Sequence, residues 1–257
     1  MKILLLNRKR IWTVSIVLIL ALSSIIFTQM NNDGIIGVFS NNRELPIYCV
    51  DTSDKKLSIS FDAAWGCQYT DDILNTLDKY NVKTTFFLVG FWVDKYPDKV
   101  KEIYKRGHDI GNHSSNHPHM SALDELQITN ELMKTHEKIK AITGHDANLF
   151  RPPFGDYDNL LIQTCRKNGY YTIQWDVDSL DWKELGVQQV VDRVTKNVKP
   201  GSIVLFHNNA KHVSQYLPLV IERLLSEGYK IVPISELIHK DNFYIDHTGK
   251  QMKRNKN

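Results

Sequence analysis

Two histidines four residues apart, in the run Gly111-Asn112-His113-Ser114-Ser115-Asn116-His117-Pro118, have a spacing that lets both imidazoles face one cation if the backbone between them is helical or tightly turned. An isolated pair of this kind more often marks a solvated polar loop. Here the pair directly follows an apolar strand pattern and is closed by Pro118, which is a more demanding context. Four other runs also place reactive groups after apolar segments. Asp62 ends the strand pattern of Ser60-Phe61-Asp62-Ala63-Ala64-Trp65-Gly66, where a carboxylate is either a turn cap or a base. Arg151, in Phe150-Arg151-Pro152-Pro153-Phe154-Gly155, offers a planar fork that can hold a carboxylate in one orientation, beside a backbone stiffened by two prolines. Asp176, Asp178 and Asp181 lie between Trp175 and Trp182, and His207 ends Val204-Leu205-Phe206. A histidine after so apolar a strand is usually a satisfied core residue, and with an acid partner it can act as a general acid.

These residues need elements to position them. Short apolar runs predict strands over Lys56–Phe61, Thr84–Val89, His108–Gly111, Leu149–Arg151, Tyr170–Trp175, Ser202–Phe206 and Lys230–Val232. Amphipathic stretches between them predict helices over Asp71–Tyr80, Val93–Arg106, Ser121–Thr143, Asn159–Asn168, Val187–Val198 and Val213–Glu227. Gly107, Gly144, Gly169, Gly201 and Gly228 fall between a helix and the next strand, where a glycine ends a helix cheaply. Alternation of this kind predicts α/β architecture with parallel strands, either a barrel or an open doubly wound sheet. In both, ligand chemistry gathers at the carboxyl ends of the strands, so the five polar runs should converge.

The front of the chain is different. After Arg8-Lys9-Arg10, residues 11–28 carry no charge. Eighteen helical residues reach roughly 27 Å, close to the hydrocarbon thickness of a bilayer. Basic residues before the run and acids after it put residues 1–10 in the cytoplasm, residues 11–28 across the membrane as an uncleaved signal anchor, and the rest outside. A cleaved signal peptide is the rival, but the small-residue site Ala21-Leu22-Ser23 lies inside the apolar run. Residues 29–44, Asn-rich and polar, read as a linker, 45–240 as the folded domain, and 241–257 as a polar basic tail. The expected location is therefore the cell membrane, single-pass, with the domain extracytoplasmic. The net charge of +3 owes part of its excess to the two ends, and no basic cluster appears in the middle, which argues against a nucleic-acid partner. Cys49, Cys67 and Cys165 are too scattered for a disulfide framework or a CxxC metal site, and Cys67 carries no local signature of a nucleophile.

In order and spacing, the five runs resemble the motifs of the polysaccharide deacetylases, the NodB-type family of carbohydrate esterases. FDAAWG and LFHNNA resemble the sporulation-associated, PdaB-like branch, and the likeness extends over about Lys56 to Leu237. The resemblance implies a distorted (β/α) barrel and removal of N-acetyl groups from cell-envelope polysaccharide, with peptidoglycan the expected substrate of an anchored, outward-facing domain. It implies Asp62 as catalytic base, His113 and His117 as ligands of a divalent metal ion, zinc first among them, and Arg151 as the group that orients the base. Asp181 resembles the acid that tunes the catalytic histidine, His207 the general acid, Leu205 the wall of the acetyl pocket, and Trp182 a lining residue of the groove. The backbone N–H of Phe154 resembles an oxyanion donor, and Trp65 and Phe154 are expected as sugar platforms.

One position departs from the pattern. Most of the family carries a second, metal-binding aspartate after the first, and here it is Ala63. Ser114, Asn116, His119 and Asp176 are near enough in sequence to be considered as replacements. The alternative is a catalytically silent glycan-binding protein that keeps the groove without the metal. A glycosidase using two of Asp176, Asp178 and Asp181 is a third reading, which leaves the histidine pair unexplained.

Overall fold

The fold is that of a computed structural model describing residues 12, 16–23 and 43–254. Backbone contacts divide the chain into Met1–Arg43 and Glu44–Asn257. Of the predicted span 11–28, Trp12 and 16–23 are helical and exposed, and the rest lies outside the described residues, as do almost all of the linker and all of 1–10. Among the described residues, no helix is long and apolar enough to cross a membrane.

The second unit alternates strand and helix. After β1 (Cys49–Val50) come β2 (Lys56–Ala63), α1 (Thr70–Lys79), β3 (Thr85–Leu88), α2 (Gly90–Lys95), α3 (Pro97–Lys105), β4 (Asp109–Asn112) and α4 (Glu125–Thr143). There follow β5 (Leu149–Phe150), α5 (Asn159–Lys167), β6 (Tyr171–Thr172), β7 (Val177–Asp178), α6 (Val187–Asn197), β8 (Ile203–His207), α7 (Val213–Ser226), β9 (Lys230–Ile231) and α8 (Ile234–Leu237). The strand order is β6-β5-β4-β3-β2-β8-β7, with β9 also on β2. Every pairing in this sheet is parallel. The architecture is a distorted parallel half-barrel, and the gap between its edge strands is bridged by Ile47, whose backbone pairs with Ile173.

β2 is the axis. Its side chains alternate between the two faces of the sheet. Leu57, Ile59, Phe61 and Ala63 join the large apolar cluster with Ile73, Leu77, Val100 and Leu217 of the covering helices. Ser60 and Asp62 face the barrel interior, where a second apolar cluster including Phe87, Leu149, Ile173 and Ile203 fills the base. Small hydroxyls on this face leave room for one large buried group, and Arg151 takes it.

Three local readings are corrected. The single helix expected over Val93–Arg106 is two, because Pro97 opens α3 and cannot continue the helix before it. The helix expected from Ser121 starts at Glu125, after a capping box in which Asp124 accepts from the Gln127 amide at 2.8 Å and Gln127 accepts from the Asp124 amide at 3.0 Å. The tail expected over 241–257 is folded as far as residue 254: β10 (Phe243–Ile245) and β11 (Lys250–Lys253) form a three-stranded sheet with β1. Gln251 is fully buried there, its amide donating to the His239 carbonyl at 2.7 Å. Lys250 and Lys253 at the two ends of β11 hid this strand, since only Gln251 of its four residues is fully buried.

Gly201 separates α6 from β8 at φ 83°, and a Cβ there would run into the Val50 carbonyl oxygen, while Gly144 ends α4 at φ 71° with open space around it. Both substitutions to Ala carry the left-handed penalty of about 1 to 2 kcal/mol. Only Gly201→Ala adds a backbone collision. Thermal unfolding is expected to show Gly201→Ala destabilised clearly more than Gly144→Ala, and equal losses would mean that the Val50 loop yields freely.

Candidate active site

The carboxyl ends of β2, β4 and β8, with the loops after β5 and β7, surround a cavity of about 470 Å³. Asp62, Trp65, His113, His117, Phe154, Trp182, Leu205 and His207 line it, together with Ala64, Trp175, Asp178 and Asn209. All eight of the first group were expected from the sequence. Arg151 and Asp181 stand behind the wall. Trp175 and Asp178, and Asn209 within LFHNNA, lie inside runs already singled out, though none of the three was given a role.

Asp62 and His207 are register partners on adjacent parallel strands. Arg151, fully buried, donates from Nη1 to Asp62 Oδ1 at 2.7 Å and from Nη2 to Ser60 Oγ at 2.8 Å and the Gln174 carbonyl at 3.2 Å. Its guanidinium carbon stands 4.2 Å from the centre of the Phe87 ring. Burial disfavours the Asp62 anion, yet the charge and hydrogen bond of Arg151 and the charge of His207 outweigh it and hold the carboxyl below its ordinary pKa. Asp62 is therefore held in its deprotonated form at neutral pH.

His113 ends up beside it through its position just past β4. Its Nδ1–H donates to the Arg151 carbonyl at 2.7 Å, which fixes the tautomer and leaves the Nε2 lone pair facing the cavity, 3.5 Å from Asp62 Oδ2. The His117 ring centre lies 5.0 Å away. Burial lowers the pKa of both, that of His117 to about 4, so both are neutral imidazoles at neutral pH. The backbone between them is tightly turned, with φ of 68° at Ser114 and 57° at His117. These two imidazoles fit a cation as ligands. A third protein donor is not arranged with them: among the described residues no group of three His, Cys, Asp or Glu side chains could hold a metal ion. Ala63 is fully buried in the apolar cluster. The replacements considered from the sequence are engaged elsewhere. Ser114 Oγ accepts from the His117 amide, Asn116 bonds Glu131, His119 stacks on Phe154, and Asp176 accepts from Ser202 and the Ile203 amide.

On β8, next to Asp62, His207 Nδ1 meets Asp181 Oδ1 at 2.7 Å, and Asp181 Oδ2 accepts from the His207 amide at 2.8 Å and from the Tyr216 hydroxyl at 2.7 Å. Burial pulls the imidazole pKa down, but the hydrogen bond and charge of Asp181 and the charge of Asp62 outweigh it and raise it above its ordinary value. Tyr216, from α7, is a partner that sequence reasoning missed, because an apolar helix face with one tyrosine looks like core. Trp65, Phe154 and Trp182 are each more than half exposed at the rim.

Residues 50–173 match the family described as polysaccharide deacetylase. The chain is 35% identical over 194 residues to a peptidoglycan-N-acetylglucosamine deacetylase of Bacillus cereus, covering 74% of this chain and 91% of that protein. The chain belongs to the polysaccharide deacetylases. Within that family, it is 33% identical to the peptidoglycan-N-acetylmuramic acid deacetylase PdaA of Bacillus subtilis, covering 74% of each. Among solved structures it resembles BA3943 of Bacillus anthracis, described as a CE4 family pseudoenzyme, at 35% identity and a TM-score of 0.72 over 75% of this chain and 68% of that one. A mutant of BA3943 with restored enzymatic activity gives a TM-score of 0.73 at 36% identity, covering 75% of this chain and 70% of that one. The family thus includes deacetylases named for two different sugars and a member described as having lost activity.

If Asp181 is what raises the His207 pKa, Asp181→Asn should bring it down. An NMR titration of the imidazole signals is expected to show His207 still protonated above pH 6.5 in the wild type and deprotonating at lower pH in Asp181→Asn. An unmoved titration would remove Asp181 from its tuning role.

Proposed function

We propose that this deacetylase removes N-acetyl groups from cell-envelope polysaccharide, with peptidoglycan as substrate. The observation that carries the reading is the pairing of Asp62 and His207 across one cavity with their proton affinities displaced in opposite senses. Asp62 holds a proton less readily than an ordinary carboxylate and His207 more readily than an ordinary imidazole, which suits a base and an acid acting on the same bond.

Amide hydrolysis joins a water oxygen to the acyl carbon and breaks the C–N bond. Asp62 accepts the proton that water loses as it attacks. His207, held through Nδ1 by Asp181, presents its other nitrogen to the cavity and protonates the amine nitrogen, without which that nitrogen does not leave. Arg151 keeps Asp62 aimed and anionic. Trp65, Phe154 and Trp182 offer ring faces to the sugar, and Leu205 walls the space for the acetyl methyl. The Phe154 N–H is the proposed oxyanion donor, in a backbone turned to φ 60°. A divalent cation, zinc by its preference for imidazole, would be held by His113 and His117 and would supply Lewis-acid polarisation of the acyl oxygen and a lowered pKa for water.

The FDAAWG and LFHNNA motifs support a role in sporulation. The apolar run 11–28 and the preceding basic residues support a single-pass anchor with the domain, 45–240, outside the membrane on the linker 29–44.

Ala63 and the likeness to BA3943 favour a second reading, a glycan-binding protein without turnover. Acetate release from peptidoglycan or acetylated chitooligosaccharide by the full-length protein, with zinc and after chelation, separates the two. Release is expected with zinc and loss of it with chelator; binding without release under both conditions would establish the second reading. His207→Ala is expected to lower kcat by about 10² to 10⁴-fold with the fold intact.

Ala63→Asp tests the metal directly. A carboxylate at this fully buried position is costly unless a cation neutralises it. The variant should melt below the wild type without metal, and zinc should raise its melting temperature more than it raises that of the wild type. Equal zinc-induced shifts would mean that residue 63 does not reach the cation.

A further inference from the structure

The loop carrying His117 is held in an unfavourable conformation. Ser114 and His117 both lie in the left-handed region, at φ 68° and 57°, which residues with side chains keep only where their surroundings impose it. Two helices supply those surroundings. From α2, the Gly90 amide donates to the Ser114 carbonyl at 2.9 Å and the Phe91 amide to the Ser115 carbonyl at 3.3 Å. From α4, the Thr135 hydroxyl donates to the same Ser114 carbonyl at 2.9 Å. The approach is close enough that a Cβ on Gly90 would lie 2.7 Å from Thr135 Oγ1 and 3.0 Å from Ser115 Cα.

The second contribution of α4 is a charge. Glu131 Oε2 accepts from the Ser115 amide at 2.9 Å and from the Asn116 amide at 2.8 Å, while Oε1 accepts from the Asn116 side chain at 2.6 Å. Successive amides turned to one side after a left-handed residue make a concave seat for an anion. Here the protein's own carboxylate occupies it.

The two histidines are not supported alike. His113 directly follows β4 and is anchored through Nδ1 on the Arg151 carbonyl. His117 lies beyond the strand, and its amide is taken by Ser114 Oγ at 2.9 Å, on the residue next to the seat. A site that lacks a carboxylate ligand at position 63 depends on how well its two imidazoles are prearranged, since no third protein ligand corrects their spacing.

We infer that Glu131 is a positioning residue for His117, acting through the Ser115 and Asn116 amides, and that it sets the cation affinity of the histidine pair. The link to affinity rests on the metal reading given under Proposed function; the clamp on the loop does not.

Two measurements on full-length wild type, Glu131→Gln and Glu131→Ala test this. In a cobalt(II) titration followed by ligand-field absorption, Glu131→Ala is expected to bind about 10 to 100-fold more weakly than wild type, as supporting partners of metal ligands typically do. Glu131→Gln, which keeps one acceptor oxygen but no charge, should fall between them. In amide hydrogen exchange without metal, the 114–117 amides should exchange faster in both variants, with the protection of β2 and β8 unchanged. Cobalt binding at wild-type strength in Glu131→Ala, or loop exchange at wild-type rates, would overturn the inference. Should Glu131→Ala fail to fold, Glu131→Gln carries both measurements. Wild type that takes up no cobalt would sink the metal reading and with it the link to affinity, while the exchange rates would still decide whether Glu131 holds the loop.

Discussion

A guanidinium with no exposure to solvent sits beneath the cavity, and the arrangement above it depends on how that charge is satisfied. Taking Arg151 out of water is expensive, and the return is sufficient only if the partners are well placed. They come from four strands or strand ends: Asp62 and Ser60 on β2, the Gln174 carbonyl after β6, the Phe87 ring on β3 below, and through its own carbonyl the His113 imidazole after β4. One residue thus sets the direction of the Asp62 carboxylate with its side chain and the tautomer of His113 with its backbone. Removing one partner of such a buried pair typically costs about 3 to 5 kcal/mol, because the other is left charged and unmatched.

The opposed tuning of Asp62 and His207 follows from the same rule. Burial alone would neutralise Asp62 and His207 alike. Each keeps its charge because a buried counter-charge is bonded to it, Arg151 in one case and Asp181 in the other. Asp181 in turn takes a third hydrogen bond from Tyr216, so the acid side of the site is fastened to the helix that follows β8. At His113 and His117 burial outweighs the pull of the Asp62 carboxylate, and both remain neutral imidazoles.

Much of this was legible in the sequence because parallel strands make it so. Each of the five polar runs follows an apolar segment, and the rule that strand ends converge was enough to bring Asp62, His113, Arg151, Asp181 and His207 together. The partners that were not legible, Ser60, Gln174, Tyr216 and Glu131, share a trait: each acts by one hydrogen-bonding group from an otherwise ordinary position, with no spacing to mark it. Ser60 was quoted as a strand residue without its role, and Glu131 is one glutamate on a helix of mixed polarity. The third metal donor was a different matter. Sequence proximity offered four replacements for the acid missing at Ala63, and the fold directs all four to other bonds. Strand β11 escaped for the opposite reason: although it lies between β1 and β10, it is short and begins and ends in lysine, so it reads as solvated chain.

That strand also bears on how the protein is made. β1, at the entry to the folded unit, pairs with β11 through Cys49 and Lys250, and the central strand β2 pairs with β8, so the contacts that complete both sheets span most of the domain's length. Pairings of such long sequence separation are slow to form, because the loop entropy must be met before they contribute. During synthesis β1 must therefore wait unpaired with β11 until residues 250–253 have been made, and the small sheet closes only then.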